Sequence, residues 1–102
     1  MLRATATVLM LISPVIARAD WHTGIVTMLG VEYSGVVTFR IYGHSRSDCT
    51  CAPAWPTWLC LDNYRPTFSE EYAFLLTARK TEQPINVNIN ETTCTVIAMY
   101  EG

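Results

Sequence analysis

The chain has 102 residues, half of them hydrophobic and 16% charged, which suits a single small domain. All nine acidic residues follow residue 19, where only five basic residues accompany them, so residues 20–102 have a formal net charge of −4. So acidic a segment lacks the basic patch that attracts nucleic acids and anionic membranes, and we expect neither partner.

Residues 1–19 have the features of a secretory signal peptide. A short basic start precedes an apolar run over residues 4–16, and Ala17-Arg18-Ala19 offers the small residues that a signal peptidase accepts. The run is too short to span a bilayer comfortably, so we expect cleavage after Ala19 rather than membrane insertion. A buried N-terminal helix is the alternative. The mature chain, residues 20–102, is then a single domain that is secreted or periplasmic.

Two strands and a turn begin the mature domain. Residues alternate with a period of two over Gly24–Glu32, where the odd-numbered residues from Ile25 to Val31 share one face. The same period recurs over Val36–Tyr42, and Gly35 in the turn between them tolerates a positive φ. This pattern predicts an antiparallel hairpin.

The middle of the chain predicts a loop, a short strand and a helix. Residues 43–57 are irregular and contain two prolines, while Trp58–Leu61 is apolar enough for a third strand. Thr67 and Glu70 have the spacing of a capping box, which predicts a helix from there to about Thr81.

Two further strands complete the domain. Ile85, Val87 and Ile89 alternate with asparagines, and an apolar segment over Cys94–Tyr100 follows a polar turn. The predicted order is therefore β-β-β-α-β-β, mainly β with one helix. That is the element order of a five-stranded oligonucleotide/oligosaccharide-binding (OB-fold) barrel, and an open α+β sheet with one covering helix is the alternative.

Four cysteines, Cys49, Cys51, Cys60 and Cys94, lie in the mature segment. An even number of cysteines in a short exported chain predicts a disulfide framework that staples a small core. Cys49 and Cys51 are too close in sequence for the Cys-x-x-Cys spacing of metal sites. The cysteines allow three pairings, between which the residues do not choose.

Several short segments, in order, match a known group of proteins: Gly24-Ile25-Val26, Val37-Thr38-Phe39, Trp58-Leu59-Cys60-Leu61-Asp62, Leu75-Leu76-Thr77-Ala78 and Ile85-Asn86-Val87. Through them the chain resembles small secreted bacterial OB-fold proteins related to the B subunits of subtilase-cytotoxin-like and pertussis-like toxins. Glu82-Gln83-Pro84 departs from the glycine usual in the turn after the helix.

This resemblance has implications for the cysteines and the partners. It implies a Cys51–Cys94 bridge, which leaves Cys49–Cys60 as the second. It further implies a homo-pentamer that binds glycans on host cells and a toxin A subunit. The serine-centred sugar pocket of those B subunits has no counterpart that aligns here, so none of its residues is carried over.

Residues with catalytic potential are few. His22 and His44 have neither the spacing of a metalloprotease motif nor a nucleophile motif around them. We therefore expect no catalytic residue, no cofactor and no metal site, and a protein that is not an enzyme.

Aromatic residues in loops are the candidate contacts to a ligand or a neighbouring subunit. Trp55, Tyr64 and Tyr33 could stack on sugar rings while Arg65 supplies hydrogen bonds. The structural alternative for Trp55 is that it caps one end of the domain, and we expect Trp58 to pack in the core. We expect a non-enzymatic binding module that binds host glycans as an oligomer. A monomeric periplasmic protein-interaction or inhibitor protein is the alternative.

Overall fold

The computed structural model describes residues 19–102, so the predicted signal peptide, apart from Ala19, lies outside the described residues. The elements are β1 (Ala19–Val31), β2 (Val37–Ile41), β3 (Leu59–Leu61), α1 (Phe68–Thr81), β4 (Pro84–Asn90) and β5 (Val96–Glu101). All five strands form one sheet in the order β3-β2-β1-β4-β5, and its neighbouring strands are antiparallel. The prediction of a mainly β domain with one helix is confirmed.

Strand β1 is the longest element of the sheet and pairs along both edges. Its first half pairs with β4, from Ala19 opposite Asn90 to Ile25 opposite Pro84. Its second half pairs with β2, between Val26 and Val31. The prediction began this strand at Gly24, because Asp20–Thr23 has no clear apolar face. Backbone pairing with β4 extends the strand regardless of side-chain polarity.

A β-bulge changes which residues of β1 face the core. The register shifts between Val26 and Met28, which leaves one extra residue in β1. Val26 is buried before the bulge, and Leu29 packs against the core after it. The prediction that Ile25 and Leu29 share one face is wrong, because one inserted residue exchanges the two faces of a strand.

The core lies between the inner face of the sheet and α1. Leu75 and Ala78 of the helix are buried in it, with Phe68 and Tyr72 packed at its edge. The sheet contributes the largest buried side chains, which are Phe39, Leu59, Leu61, Ile85, Ile89, Val26, Val37, Val87 and Val96. Leu76 points outward and is exposed.

The two outermost strands of the sheet also meet. The backbone N–H of Cys60 in β3 donates to the carbonyl of Cys94 just before β5, at 3.1 Å. Cys60 and Thr95 form an isolated parallel bridge there. The sheet therefore curls until its two edges touch at one point.

The start of α1 differs from the predicted capping box. Thr67 is the N-cap residue, but its side chain makes no capping hydrogen bond, and its φ of −103° and ψ of 21° are not the extended angles of a typical cap. Arg65, just before the helix, links it to the sheet instead. Its guanidinium donates to both carboxylate oxygens of Glu71 at 2.7 Å and to the carbonyls of Val96 and Ile97 at 2.9 and 2.8 Å.

All four cysteines form disulfides, as predicted, but the pairing is Cys49–Cys94 and Cys51–Cys60. The Cys51–Cys94 and Cys49–Cys60 pairing is therefore wrong. Side chains alternate along β3, so Cys60 points away from the core that Leu59 and Leu61 enter. Cys49 and Cys94 both belong to that core.

Disulfides form and persist in oxidising compartments, so the two bridges indicate a location outside the cytoplasm. Among the described residues, no helix is long and apolar enough to cross a membrane.

Removing the two bridges should destabilise the domain unequally. The Cys49–Cys94 bridge spans 45 residues and the Cys51–Cys60 bridge spans nine. By loop entropy we expect Cys49→Ala/Cys94→Ala to lose about 4 kcal/mol and Cys51→Ala/Cys60→Ala about 3 kcal/mol, measured by urea denaturation. Both double variants should contain no free thiols, whereas Cys51→Ala/Cys94→Ala should contain two. Free thiols in the first two variants and none in the third would contradict this pairing.

Replacing Arg65 should weaken the attachment of α1 to β5. We expect Arg65→Gln to lower the free energy of unfolding by about 2–3 kcal/mol, because charged hydrogen bonds that are partly buried are lost together. Arg79→Gln is the matched control, since Arg79 is exposed in the last turn of the same helix. It should change stability by less than about 0.5 kcal/mol. Equal effects of the two variants in urea denaturation would refute the structural role of Arg65.

Candidate functional site

A cleft of about 290 Å³ lies on the outer face of the β1–β2 hairpin. Met28 and Gly30 of β1 and Thr38 of β2 line its floor, since the bulge turns this face of β1 away from the core. Trp55 and Trp58 form a wall, with ring centroids 6.2 Å apart and planes tilted by 54°. We call this the Trp55 cleft. It is concave and mainly apolar, as small-molecule sites are.

The loop that carries the two tryptophans is held by its own backbone. The N–H of Trp55 donates to Ala52 at 2.7 Å, and the N–H of Trp58 donates to Trp55 at 3.1 Å. A further backbone bond of 3.0 Å joins Cys49 to Pro56, and the Cys51–Cys60 bridge ties the same loop to β3. Trp55 is nevertheless 51% exposed. Its ring is therefore positioned without being buried.

Polar groups lie at the edge of the Trp55 cleft. The Glu32 carboxylate is half-buried and accepts a hydrogen bond of 3.3 Å from the Thr38 hydroxyl. Glu32 and Trp55 also line a neighbouring cleft of about 170 Å³ together with Ser34 and Pro53. A carboxylate beside an aromatic wall offers hydrogen-bond acceptors at the rim of the cleft.

The structure separates the four predicted contact residues. Trp55 lines both clefts, and Tyr64 lines a third depression of about 310 Å³ beside the Cys51–Cys60 bridge. Tyr33 is fully exposed at the tip of the β1–β2 hairpin and lines none of these three depressions. Arg65 is committed to its bonds with Glu71 and β5. Of the four, only Trp55 lines the cleft together with Glu32.

Sequence reasoning placed Trp58 in the core, but in the structure Trp58 is half-buried and lines the cleft, while Leu59 and Leu61 fill the core. It did not single out Glu32, which looked like an ordinary turn residue. The alternation of Val36–Tyr42 did place Thr38 on the face opposite Val37 and Phe39. This one residue of the cleft floor was therefore predictable from the sequence.

A second group of polar side chains lies at the start of β1. His22 Nε2 is 2.8 Å from Glu91 Oε2, and the Arg46 guanidinium donates to the Glu91 Oε1 and to its backbone carbonyl. The His44 ring contacts the His22 ring edge-on, with centroids 4.8 Å apart. His44 is only 7% exposed, and neither ring nitrogen has a hydrogen-bond partner. Burial, followed by the nearby His22, lowers the pKa of the His44 imidazole.

A pair of exposed aromatic residues lies on the outer face of the β1–β4–β5 region. Trp21 and Tyr100 stack across β4 with centroids 5.4 Å apart, and both are about half-exposed. On the same face the Thr23 hydroxyl donates to the Asn86 amide oxygen. Neither Trp21 nor Tyr100 lines any of the three depressions described above.

No protein-family model, no curated protein and no solved structure shows significant similarity to this chain.

Proposed function

We propose that the chain is a secreted or periplasmic, non-enzymatic module that binds carbohydrate in the Trp55 cleft. The observation that carries this proposal is the exposed Trp55 ring held beside Trp58, with the Glu32 carboxylate at the rim of the same cleft.

The chemistry of the cleft suits sugars better than most other small ligands. One face of a sugar ring carries C–H groups that pack well on an indole, while its hydroxyls need hydrogen-bond partners around the edge. Glu32 supplies an acceptor there, and the buried Thr38 hydroxyl donates to its carboxylate. Its volume of about 290 Å³ lies at the lower end for ligand pockets, which favours one or two sugar rings over a long chain.

We further propose that the sheet is the five-stranded barrel of the OB-fold type. In support, β1 pairs with both β2 and β4, and a parallel bridge joins Cys60 of β3 to Thr95 before β5, which would complete the circuit of strands. Barrels of this type bind oligosaccharides and oligonucleotides. The acidic charge of residues 20–102 disfavours nucleic acid, so oligosaccharide is the better-matched ligand.

A glycan array followed by calorimetry with the best-bound glycan tests the proposed ligand. Trp55→Ala should weaken binding at least about tenfold, because a stacked aromatic surface is lost. Gly30→Val should block glycan binding by filling the floor of the cleft. A Cβ at Gly30 would lie 3.6 Å from the Thr38 hydroxyl, an ordinary contact, so the strand itself tolerates the change.

Tyr33→Ala is the matched control, since it removes an exposed aromatic ring that lies outside the cleft, and it should bind like the wild type. The proposal fails if the array shows no binding, or if Trp55→Ala and Gly30→Val bind as well as Tyr33→Ala does.

A second candidate function is protein–protein interaction. The exposed Trp21–Tyr100 pair and the neighbouring Ile25 favour it, because exposed apolar side chains grouped on one face are typical of contact surfaces. Under the glycan proposal this face would serve contacts between subunits of a homo-pentamer, as the resemblance to toxin B subunits implies. Native mass spectrometry separates the two. A pentamer with glycan binding favours the B-subunit function, and a monomer without glycan binding favours a periplasmic interaction or inhibitor protein.

A further inference from the structure

We propose that the polar group at the start of β1 is a binding site for a divalent transition-metal ion, with Zn²⁺ as the best-matched ion. The ligands are His22, Glu91 and Asp20, and His44 completes the set. This site shares no residue with the Trp55 cleft, so the proposal does not depend on the proposed carbohydrate function.

Register between β1 and β4 brings the first three ligands together. Asp20 and His22 are two residues apart in β1 and therefore share a face, and Ala19 pairs with Asn90, which places Glu91 beside them. The Asn90 amide oxygen accepts the N–H groups of Thr92 and Thr93, which fixes the turn that carries Glu91. The potential ligand atoms of Asp20, His22 and Glu91 all lie within 4.8 Å of one another.

The second, independent observation is His44. Its imidazole is more than nine-tenths buried, packs edge-on against His22, and has no hydrogen-bond partner at either nitrogen. A buried polar group without a partner is unfavourable, so such a side chain calls for one. A metal ion bound to His22 would provide a partner for His44.

The spacing of the two rings matches this arrangement. Two imidazoles bound to one tetrahedral Zn²⁺, with Zn–N distances of about 2.0–2.1 Å, have centroids about 5 Å apart. The observed separation of the His22 and His44 centroids is 4.8 Å. His22 Nε2 and Glu91 Oε2 are 2.8 Å apart, whereas two ligands of a tetrahedral Zn²⁺ lie about 3.3 Å apart. A side-chain adjustment of about half an ångström therefore admits the ion.

Charge and the surrounding contacts fit a dication. Asp20 and Glu91 bring two carboxylates, and imidazole with carboxylate is a donor set that suits zinc. Arg46 occupies the other carboxylate oxygen of Glu91 and also bonds Asp48, which leaves Glu91 Oε2 directed at His22. Outer contacts of this kind orient a ligating carboxylate. The side chains of His22 and Glu91 are about a quarter exposed, which gives an ion a route to the site.

The test is a calorimetric titration of the protein with ZnCl₂, together with ¹⁵N spectra of the two imidazoles. Zn²⁺ is preferred to Cu²⁺ as the probe. Cleavage after Ala19 would leave a free amine on Asp20, followed by Trp21 and His22, and this nitrogen-rich terminus would itself bind Cu²⁺. We expect one Zn²⁺ per chain, and ring resonances of both His22 and His44 that shift together. At a tenfold excess over the dissociation constant, Zn²⁺ should raise the melting temperature by about 5–10 °C.

Glu91→Gln and His44→Gln should each weaken Zn²⁺ binding at least about tenfold. Glu70→Gln is the matched control, since it removes the same charge from the exposed first turn of α1 and should leave Zn²⁺ binding unchanged. Melting curves without metal show whether each variant is folded. If a variant is not folded, the shifts of the His22 and His44 resonances in the wild type still test the proposal. The proposal is overturned if Zn²⁺ does not bind, if only His22 responds, or if Glu91→Gln binds Zn²⁺ like the control.

Discussion

The double pairing of β1 is the constraint on which the rest of this structure depends. A strand of 13 residues pairs with β4 along its first half and with β2 along its second, with Gly24 near the changeover. A side chain at Gly24 would collide with the carbonyl oxygen of Tyr42, so glycine allows the end of β2 to approach. Just beyond, the bulge turns Met28 and Gly30 outward. The floor of the Trp55 cleft and the position of His22 beside His44 therefore both depend on β1.

The two disulfides hold loops of this small domain in place, as packing against a larger core does in larger domains. Domains of this size bury too little apolar surface to hold long loops by packing alone. The loop over residues 42–58 carries both His44 and Trp55, and its cysteines join it to the start of β5 and to β3. Cys49–Cys94 lies within the core, while Cys51–Cys60 lines a surface depression and Cys51 also packs against the core. The two bridges thus fix the loop at two separate places.

Local patterns predicted the elements well and their long-range relations poorly. Alternation identified β2 and β4, and helical spacing identified α1 nearly to the residue. The bulge in β1 could not be predicted, because its apolar residues fit either face until β2 sets the register. The cysteine pairing depended on which way Cys60 points. His22, His44 and Glu91 are far apart in the sequence, so no local spacing could have signalled their contact, and Arg65 looked like a surface donor until β5 supplied its acceptors.

We propose that ligand binding takes place at the Trp55 cleft and not on the face that carries Trp21 and Tyr100. The three tryptophans report on both places, since Trp55 and Trp58 line the cleft and Trp21 stacks on Tyr100 outside it. The most direct measurement is a titration of the protein with oligosaccharide, followed by the indole N–H resonances in ¹H–¹⁵N spectra. We predict that the Trp55 and Trp58 signals shift to saturation while Trp21 stays unchanged. A shift of Trp21 alone, or no shift with any oligosaccharide, would contradict this account.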